Sequence, residues 1–405
     1  MTLKPRTKNL VALTLAALMI LAAAPSQAAS QGEPRGTVPA ASAPGKPITV
    51  MTRNVYLGAD INRPVDAALT AQAVGGGTSE ILVALANGTE TTRAIVDDTD
   101  FHVRARLLAD EIKRTSPDLV GLQEVALWRS GPLELDRVGV VNATEVDYDF
   151  LQILLDELRA QGARYTTAVV GGRADVESPS FTGSPYDGTI GGSGRDIRLT
   201  MRDVILVRDN ASLRITDTHD EIFEHNLSLG VLGVDFDFDR GYQWADVRAG
   251  GQSFRFVNTH LEAFSSNIAL VQAHQMLTEA TATNTSTVIA CDCNSDPLNS
   301  SVKEDIGDTV PHKAPYELIT QTYTDQWLEW APAEEGWTSG LNELVDEAPP
   351  TWTHRIDMIF GRTASGDLLG VDRGEVTGTQ LTDRDPATGL WPSDHAGVVL
   401  RLRGL

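Results

Sequence analysis

The chain has 405 residues, 41% of them hydrophobic, which is enough for a large core, and its 55 acidic against 33 basic side chains leave a formal charge of −22. Such an excess repels polyanions and anionic membranes at long range, which weighs against a nucleic-acid substrate without excluding it, because a metal ion in a site can reverse the local field. The only cysteines are Cys291 and Cys293; a bridge between residues so close would be strained, so the expectation is a protein that does not rely on disulfides.

In chain order, Lys4, Arg6 and Lys8 precede an apolar stretch from Leu10 to Ala24, and Ser26-Gln27-Ala28 supplies small residues of the kind a signal peptidase reads. About 15 apolar residues fall short of the roughly 20 that span a bilayer, so residues 1–28 are expected to be a signal peptide cleaved after Ala28. The mature protein is then secreted or periplasmic, with no stable membrane anchor. Residues 29–46, mostly Ala, Ser, Gly and Pro, bury too little surface to offset their ordering entropy and are expected to be a flexible lead-in. Residues 47–405 show no internal repeat or second linker and are read as one catalytic domain, expected to be a monomer.

Within it, β-branched and apolar runs bounded by turn residues predict strands at Ile48 to Val55, Leu119 to Val125, Tyr165 to Val170 and Val204 to Val207, then at Phe254 to His260, Val288 to Cys293, Ile356 to Phe360 and Val398 to Leu402. Tyr242 to Val247, Ala249-Gly250-Gly251-Gln252 and Phe254 to Val257 read as a hairpin. Helical spacing covers Val103 to Ile112, ended by Pro117, then Phe150 to Leu158 and Ile268 to Leu277. Strands in series with intervening helices predict two packed sheets flanked by helices. Gly58 to Thr99, with one helical stretch, and Gly171 to Gly194, without periodicity, read as surface insertions.

Polar residues recur where these strands end: Asn54, Glu124, His260, Asp292 with Asn294, Asp357, and Asp394 with His395. Singly each is ordinary. Asn54 suits a turn, Glu124 an ion pair, His260 a hydrogen-bonded core histidine, and Asp394-His395 a cap. Together, at separate strand ends, they point to one site, because strand ends give rigid support and free the backbone for loops. Oxygen donors dominate the set (Asn54, Glu124, Asp292, Asn294, Asp394), which suits Mg²⁺, with Mn²⁺ or Ca²⁺ as substitutes, rather than Zn²⁺. The two histidines remain for acid–base work and for stabilising phosphoryl charge.

The order of these segments resembles the endonuclease/exonuclease/phosphatase superfamily, which includes deoxyribonuclease I and bacterial sphingomyelinases. The matching segments are Arg53-Asn54-Val55-Tyr56, Leu122-Gln123-Glu124-Val125, Asn258-Thr259-His260-Leu261, Asp292-Cys293-Asn294, Arg355-Ile356-Asp357 and Ser393-Asp394-His395. The resemblance implies an α/β fold, a four-layer α/β/β/α sandwich of two mixed β-sheets flanked by helices, and in-line attack of water on phosphorus. By the same resemblance Glu124, with Asn54 and Asp394, holds the metal. His395, oriented by Asp394, deprotonates the water that Asp292 and Asn294 position. His260 and the metal neutralise the transition state, and Asp357 orients His260 or His395. Arg198 and Arg202 are candidate contacts to substrate phosphate, with a surface salt bridge as the bland alternative. The sequence departs from the family pattern at Cys291 and Cys293, which stand where Gly and a large apolar residue are usual; strand alternation sends both thiols to the core, away from Asp292 and Asn294.

The expected function is therefore an exported, metal-dependent phosphoester hydrolase. Its substrate is a lipid head group, a small molecule or a nucleic acid, with a small or lipid-linked phosphoester ranked above DNA or RNA for want of a basic groove. Trp327, Trp330 and Trp337 are candidates for a lipid-facing aromatic hairpin, although Glu329, Glu334 and Glu335 interrupt them and loop packing explains them as well. An extracellular nuclease is the alternative within this class. A catalytically inactive binding module on the same fold is the alternative of another class, and the intact polar set argues against it.

Overall fold

The computed structural model describes residues 46–209 and 212–405. The expected leader, its cleavage point and all but the last residue of the lead-in lie outside the described residues. The strand Ile48–Asn54 shows how the sequence builds the core. Its side chains alternate, sending Ile48 and Val50 toward the second sheet and Met51 toward the helices. It pairs in parallel with Leu119–Gln123 and antiparallel with Gly397–Arg403.

The first sheet runs Gly370–Thr377, Gly397–Arg403, Ile48–Asn54, Leu119–Gln123, Gly191–Arg208, Leu127–Pro132, Glu145–Asp149, with Tyr165–Thr182 also paired to Gly191–Arg208. The second runs Thr324–Asp325, Asp357–Arg362, Ser286–Asp292, Gln252–His260, Gly241–Ala249, Leu213–Ile222. Leu119, Ile205 and Leu400 of the first sheet meet Phe256, Val288 and Ile359 of the second in a shared core. The helices Phe101–Thr115 and Phe150–Ala160 cover the outer face of the first sheet; Ser266–Glu279 and Ala314–Ile319 cover that of the second. The result is the expected four-layer sandwich. Both sheets are mixed, and each carries one parallel pair that brings like strand ends together.

Local chemistry sets the boundaries. Asp100 caps the helix Phe101–Thr115 by accepting from the backbone N–H of His102 and Val103, and Ser116 ends it in a left-handed conformation just before Pro117. The expected hairpin forms with Ala249 opposite Gln252, and Gly250 and Gly251 take the positive φ values, 56° and 95°, that its two-residue turn requires. Among the described residues no helix is long and apolar enough to cross a membrane.

Both expected insertions turn out to be more regular. Residues 58–99 hold two helices, Arg63–Ala73 and Thr78–Asp98, rather than one. Their apolar faces (Val65, Ala68, Ile81, Leu85) pack on Val231, Phe236 and Phe238 of a small ribbon, Leu227–Val231 with Val234–Phe238. The partner surface lies far along the chain, so local composition conceals it. Residues 171–194 are mostly the outer halves of the two long strands Tyr165–Thr182 and Gly191–Arg208. Their Gly, Ser and Pro content is tolerated because the strands pair with each other through three register shifts. Ser178 and Ser180 also hydrogen-bond Thr89 and Glu90 of the longer helix.

A buried ion pair ties this frame to the polar strand ends. Arg53 donates to both carboxylate oxygens of Glu111, at 3.0 and 3.2 Å, and its remaining nitrogen donates to the carbonyls of Asn54 and His395. Neither partner of the ion pair reaches solvent appreciably. Removing one member of such a pair strands the other charge in the core, at a cost of about 3–5 kcal/mol. Glu111→Ala is therefore expected to lower unfolding free energy by about that amount in a denaturant titration; a change under about 0.5 kcal/mol, the usual range for surface substitutions, would contradict the pairing.

Candidate active site

Register assembles the site. His260 lies opposite Asp292 on the neighbouring parallel strand, and Asp292 lies opposite Asp357 on the antiparallel one. From the first sheet, Asn54 pairs with Gln123, which places Glu124 next in line. A polar cross-link fixes the two sheets at this edge. Gln123 Nε2 donates to Asn258 Oδ1 at 2.7 Å, and Asn258 Nδ2 donates to the carbonyl of Leu122 at 3.1 Å. Asn258 fits only because residue 121 is glycine: a Cβ there would stand 2.5 Å from its Oδ1. The amides of the Gln-Glu and Asn-Thr-His segments are thus structural, while the residues beyond them face a cleft of about 340 Å³.

Asp292 is the hub. Its Oδ2 accepts from Asn54 Nδ2 at 2.8 Å and lies 3.4 Å from His260 Nε2; its Oδ1 accepts from the backbone N–H of Asn294 at 3.2 Å. Burial, and then the charge of Asp357, push its carboxyl up to about 7. His395 Nδ1 donates to Asp357 Oδ2 at 2.8 Å, whereas Asp394 Oδ1 stands 4.0 Å from His395 Nε2. The orienting carboxylate behind the imidazole is therefore Asp357, and the expectation that Asp394 fills that place is corrected. Asp394 cannot do so because it lies on the Nε2 side of the ring. Burial works to lower the pKa of His395, but Asp357, Asp394 and Asp292 outweigh it and hold the imidazole well above its ordinary value.

His260 goes the other way. Burial, reinforced by the charge of Arg240, lowers it well below the ordinary value, so the ring is neutral. Arg240 Nη1 lies 2.9 Å from His260 Nδ1, and arginine can only donate. Nη1 also lies 3.2 Å from Nε2, but Nδ1 is the nearer acceptor, and a ring proton on Nε2 would face Asp292 Oδ2 at 3.4 Å and Glu124 Oε1 at 4.0 Å.

Glu124 Oε2 accepts from the backbone N–H of Leu57 at 2.9 Å, so Oε1 is the oxygen turned toward His260. Asp394 lies nearby, and burial, with Glu124 among the charges raising it, pushes its carboxyl up to about 6. Asn54 Oδ1 accepts from the N–H of Tyr56 at 2.8 Å. Asn294 borders the cleft and donates through Nδ2 to the carbonyl of Leu261 at 3.0 Å. Tyr56, Glu124 and Asn294 all have positive φ, at 59°, 60° and 44°. Strained backbone of this kind persists where the surroundings over-determine it, and here three such residues cluster around one cleft.

Two expectations do not survive the geometry. Arg198 pairs with Asp175 at 2.7 Å, and Arg202 pairs with Asp149 at 2.6 Å while donating to the carbonyls of Val125 and Ala126. Neither lines the cleft, and ion pairing accounts for both. The cation that does line it, Arg240, was missed because it precedes a strand instead of ending one; its neighbour Gly241 lies opposite His260 across an antiparallel pair. Cys291 and Cys293 are buried on the core face as expected, but they form a disulfide. The ladder stops at Asp292 and the chain then turns, leaving the two Cα atoms 5.1 Å apart, within the span a disulfide bridges. Another group that sequence left unmarked is Thr338, whose Oγ1 accepts from the N–H groups of Ile356 and Asp357, at 3.1 Å each, and fixes the base of the Asp357 strand.

With this geometry, similarity to solved structures becomes informative. An endonuclease/exonuclease/phosphatase family protein from Bacteroides thetaiotaomicron is similar over 89% of this chain and 99% of its own, at 16% identity and a TM-score of 0.51. D. rerio TDP2, solved with a single-strand DNA product, has 15% identity and a TM-score of 0.48, covering 88% of this chain and 98% of its own. A mannosyl-6-phosphatase from Bacteroides thetaiotaomicron has 18% identity and a TM-score of 0.48, covering 88% of this chain and 99% of its own. No family model matches the sequence, and no curated protein matches it. At these identities the likeness is one of fold: the chain has the fold of the endonuclease/exonuclease/phosphatase family.

Proposed function

We propose that this chain is a divalent-metal-dependent phosphoester hydrolase. The observation that carries the reading is the facing arrangement in one cleft: the Asp357–His395 dyad and the carboxylates of Glu124 and Asp394 opposite the neutral His260 held by Arg240.

The donor chemistry fits a hard cation. Glu124 and Asp394 both line the cleft, and burial with the charge of Glu124 raises the Asp394 carboxyl, an imbalance that a bound cation would offset. Asp292, Asp357 and His395 also have ligand atoms within 4.8 Å of one another. The short bond from Nδ1 to Asp357 uses that group as a base dyad, so Glu124, Asp394 and Asn54 are the better ligand set. A cation there would supply Lewis-acid stabilisation of a phosphoryl oxygen, and Mg²⁺ is the one favoured by this donor set.

The side chains divide the remaining work. Asp357 keeps the proton of His395 on Nδ1, which leaves Nε2 to accept one from water. Asp292 and Asn294 hold that water for in-line attack on phosphorus. Arg240 and the Nε2–H of His260 donate to the non-bridging oxygens as charge builds in the transition state. The leaving alkoxide departs opposite the incoming oxygen.

The rim bears on substrate class. Asp60 adds negative charge, Glu343 is paired with Arg63, and Ile61, Phe264 and Leu341 add apolar surface. Such a border suits a small or lipid-linked phosphoester better than a polyanion. Trp327, Trp330 and Trp337 form no hairpin: the first two lie on the short helix Gln326–Trp330, and Trp327 is buried in the inter-sheet core. The Cys291–Cys293 bridge supports export, since oxidising compartments are where such bonds persist.

Arg240 tests the phosphate side of this reading. Arg240→Ala is expected to lower kcat on a chromogenic phosphodiester by about 10²–10³, the usual effect of losing a transition-state donor. Arg240→Lys should recover only part of it, since a point charge cannot replace the fork. Unchanged turnover in Arg240→Ala would remove the residue from the reaction.

A further inference from the structure

The mechanism above makes no use of the Cys291–Cys293 bridge, although it brackets Asp292, the hub of the site. Both sulfurs are buried on the face opposite the Asp292 carboxylate, among Val257, Ile289 and Phe360. The strand ladder ends at Asp292, the N–H of Cys293 reaches the carbonyl of Ile356 at 2.8 Å, and Asn294 follows in a left-handed conformation. Every change of chain direction between Asp292 and Asn294 therefore occurs at or beside Cys293.

We propose that this disulfide is a positioning element of the catalytic centre, and that its formation sets the activity of the folded chain. The bridge closes a ring that includes the Cα of Asp292, so it limits the backbone torsions on both sides of that residue. Global stapling is the competing role, but the loop-closure term is smallest for so short a loop. What the bridge constrains is local: the angle between the Asp292 carboxylate, which takes Asn54 Nδ2, and the turn that sends Asn294 toward Leu261. With two thiols, that turn is held only by its hydrogen bonds. A shift of about 1 Å in groups that orient an attacking water is enough to cost about a hundredfold. Oxidation removes two protons and two electrons from the thiols and passes them to a disulfide oxidant, which becomes two thiols. A dithiol reductant reverses the exchange and is itself oxidised to a disulfide.

This inference rests on the hydrolase reading, so its test includes a measurement independent of turnover. The full chain is prepared oxidised and, by refolding in a dithiol reductant, as the two-thiol form, each confirmed by mass. Cys291→Ala/Cys293→Ala is made alongside. The two-thiol form is expected to lose between about tenfold and a hundredfold in kcat per folded molecule, with KM within about twofold. Oxidised glutathione should restore it but leave the double variant unchanged. Amide exchange at Asn294, whose N–H is held by Asp292 Oδ1, should quicken on reduction, while exchange at Ala290 inside the ladder stays the same. If the double variant does not fold, the two forms of the native chain carry the comparison. Equal turnover and equal Asn294 exchange in both forms would overturn the proposal. Oxidised protein that hydrolyses no phosphoester would instead refute the hydrolase reading, with the exchange data still deciding whether the bridge orders the turn.

Discussion

His395→Ala is expected to lower kcat/KM on any phosphoester the native chain cleaves by about 10²–10⁴, the range for losing a positioned general base. The prediction depends on which nitrogen does the work. Asp357 Oδ2 takes the Nδ1 proton at 2.8 Å, so Nε2 is the acceptor. Asp357→Asn should be nearly as damaging, because an amide can hold the ring in the other tautomer. It should also move the pH profile in a defined direction. The base works only when neutral, so activity falls as pH drops through its pKa. Burial lowers that pKa and the surrounding carboxylates raise it further than burial lowers it, with Asp357 the largest of them. Removing the Asp357 charge should therefore shift the acid limb to lower pH while the plateau falls. A limb that stays in place would mean that a different group is the base.

Removal of divalent metal should abolish activity. EDTA is expected to bring turnover to background, Mg²⁺ or Mn²⁺ to restore it, and Glu124→Gln to raise the metal concentration needed for half-maximal rate. The reason lies in the charge balance: Glu124 and Asp394 face one cleft, where burial already works against ionisation of Asp394. Arg240, the arginine lining that cleft, is taken up by His260 and lies 4.0 Å from Glu262, and His395, which also lines it, is paired with Asp357. Undiminished turnover in protein with metal content confirmed as zero would remove the oxygen-ligand site from the account.

Much of this was legible because the chemistry sits where strands stop. Asn54, Glu124, His260 and Asp292 each follow an apolar run readable from its alternation, and the parallel pairs carry them to one edge. Asp357 was legible as a residue that orients His260 or His395, and the structure settles which: it backs His395, the place that Asp394 was also expected to fill. Arg240 was hidden because the start of an antiparallel strand reaches the same edge as the end of its partner. The helices over 63–98 and the strands beyond Gly171 were hidden for a different reason. Their stability comes from surfaces far along the chain, Phe236 and Phe238 for the helices and paired ladders for the strands, and a local window contains neither. The disulfide was misjudged because two cysteines so close were expected to form a strained bridge, whereas the chain turns after Asp292 and leaves their Cα atoms 5.1 Å apart.

The central claim is that the cleft hydrolyses phosphoesters with His395 as base and a divalent metal at Glu124 and Asp394. The most direct measurement is a panel of a chromogenic phosphodiester, a chromogenic phosphomonoester, sphingomyelin, plasmid DNA and RNA, each with Mg²⁺, Mn²⁺, Ca²⁺ or EDTA, using His395→Ala as the blank. The account predicts metal-dependent hydrolysis of at least one small or lipid-linked phosphoester, abolished by EDTA and by His395→Ala. Hydrolysis that persists equally in His395→Ala, or none on any phosphoester with every metal, would contradict it.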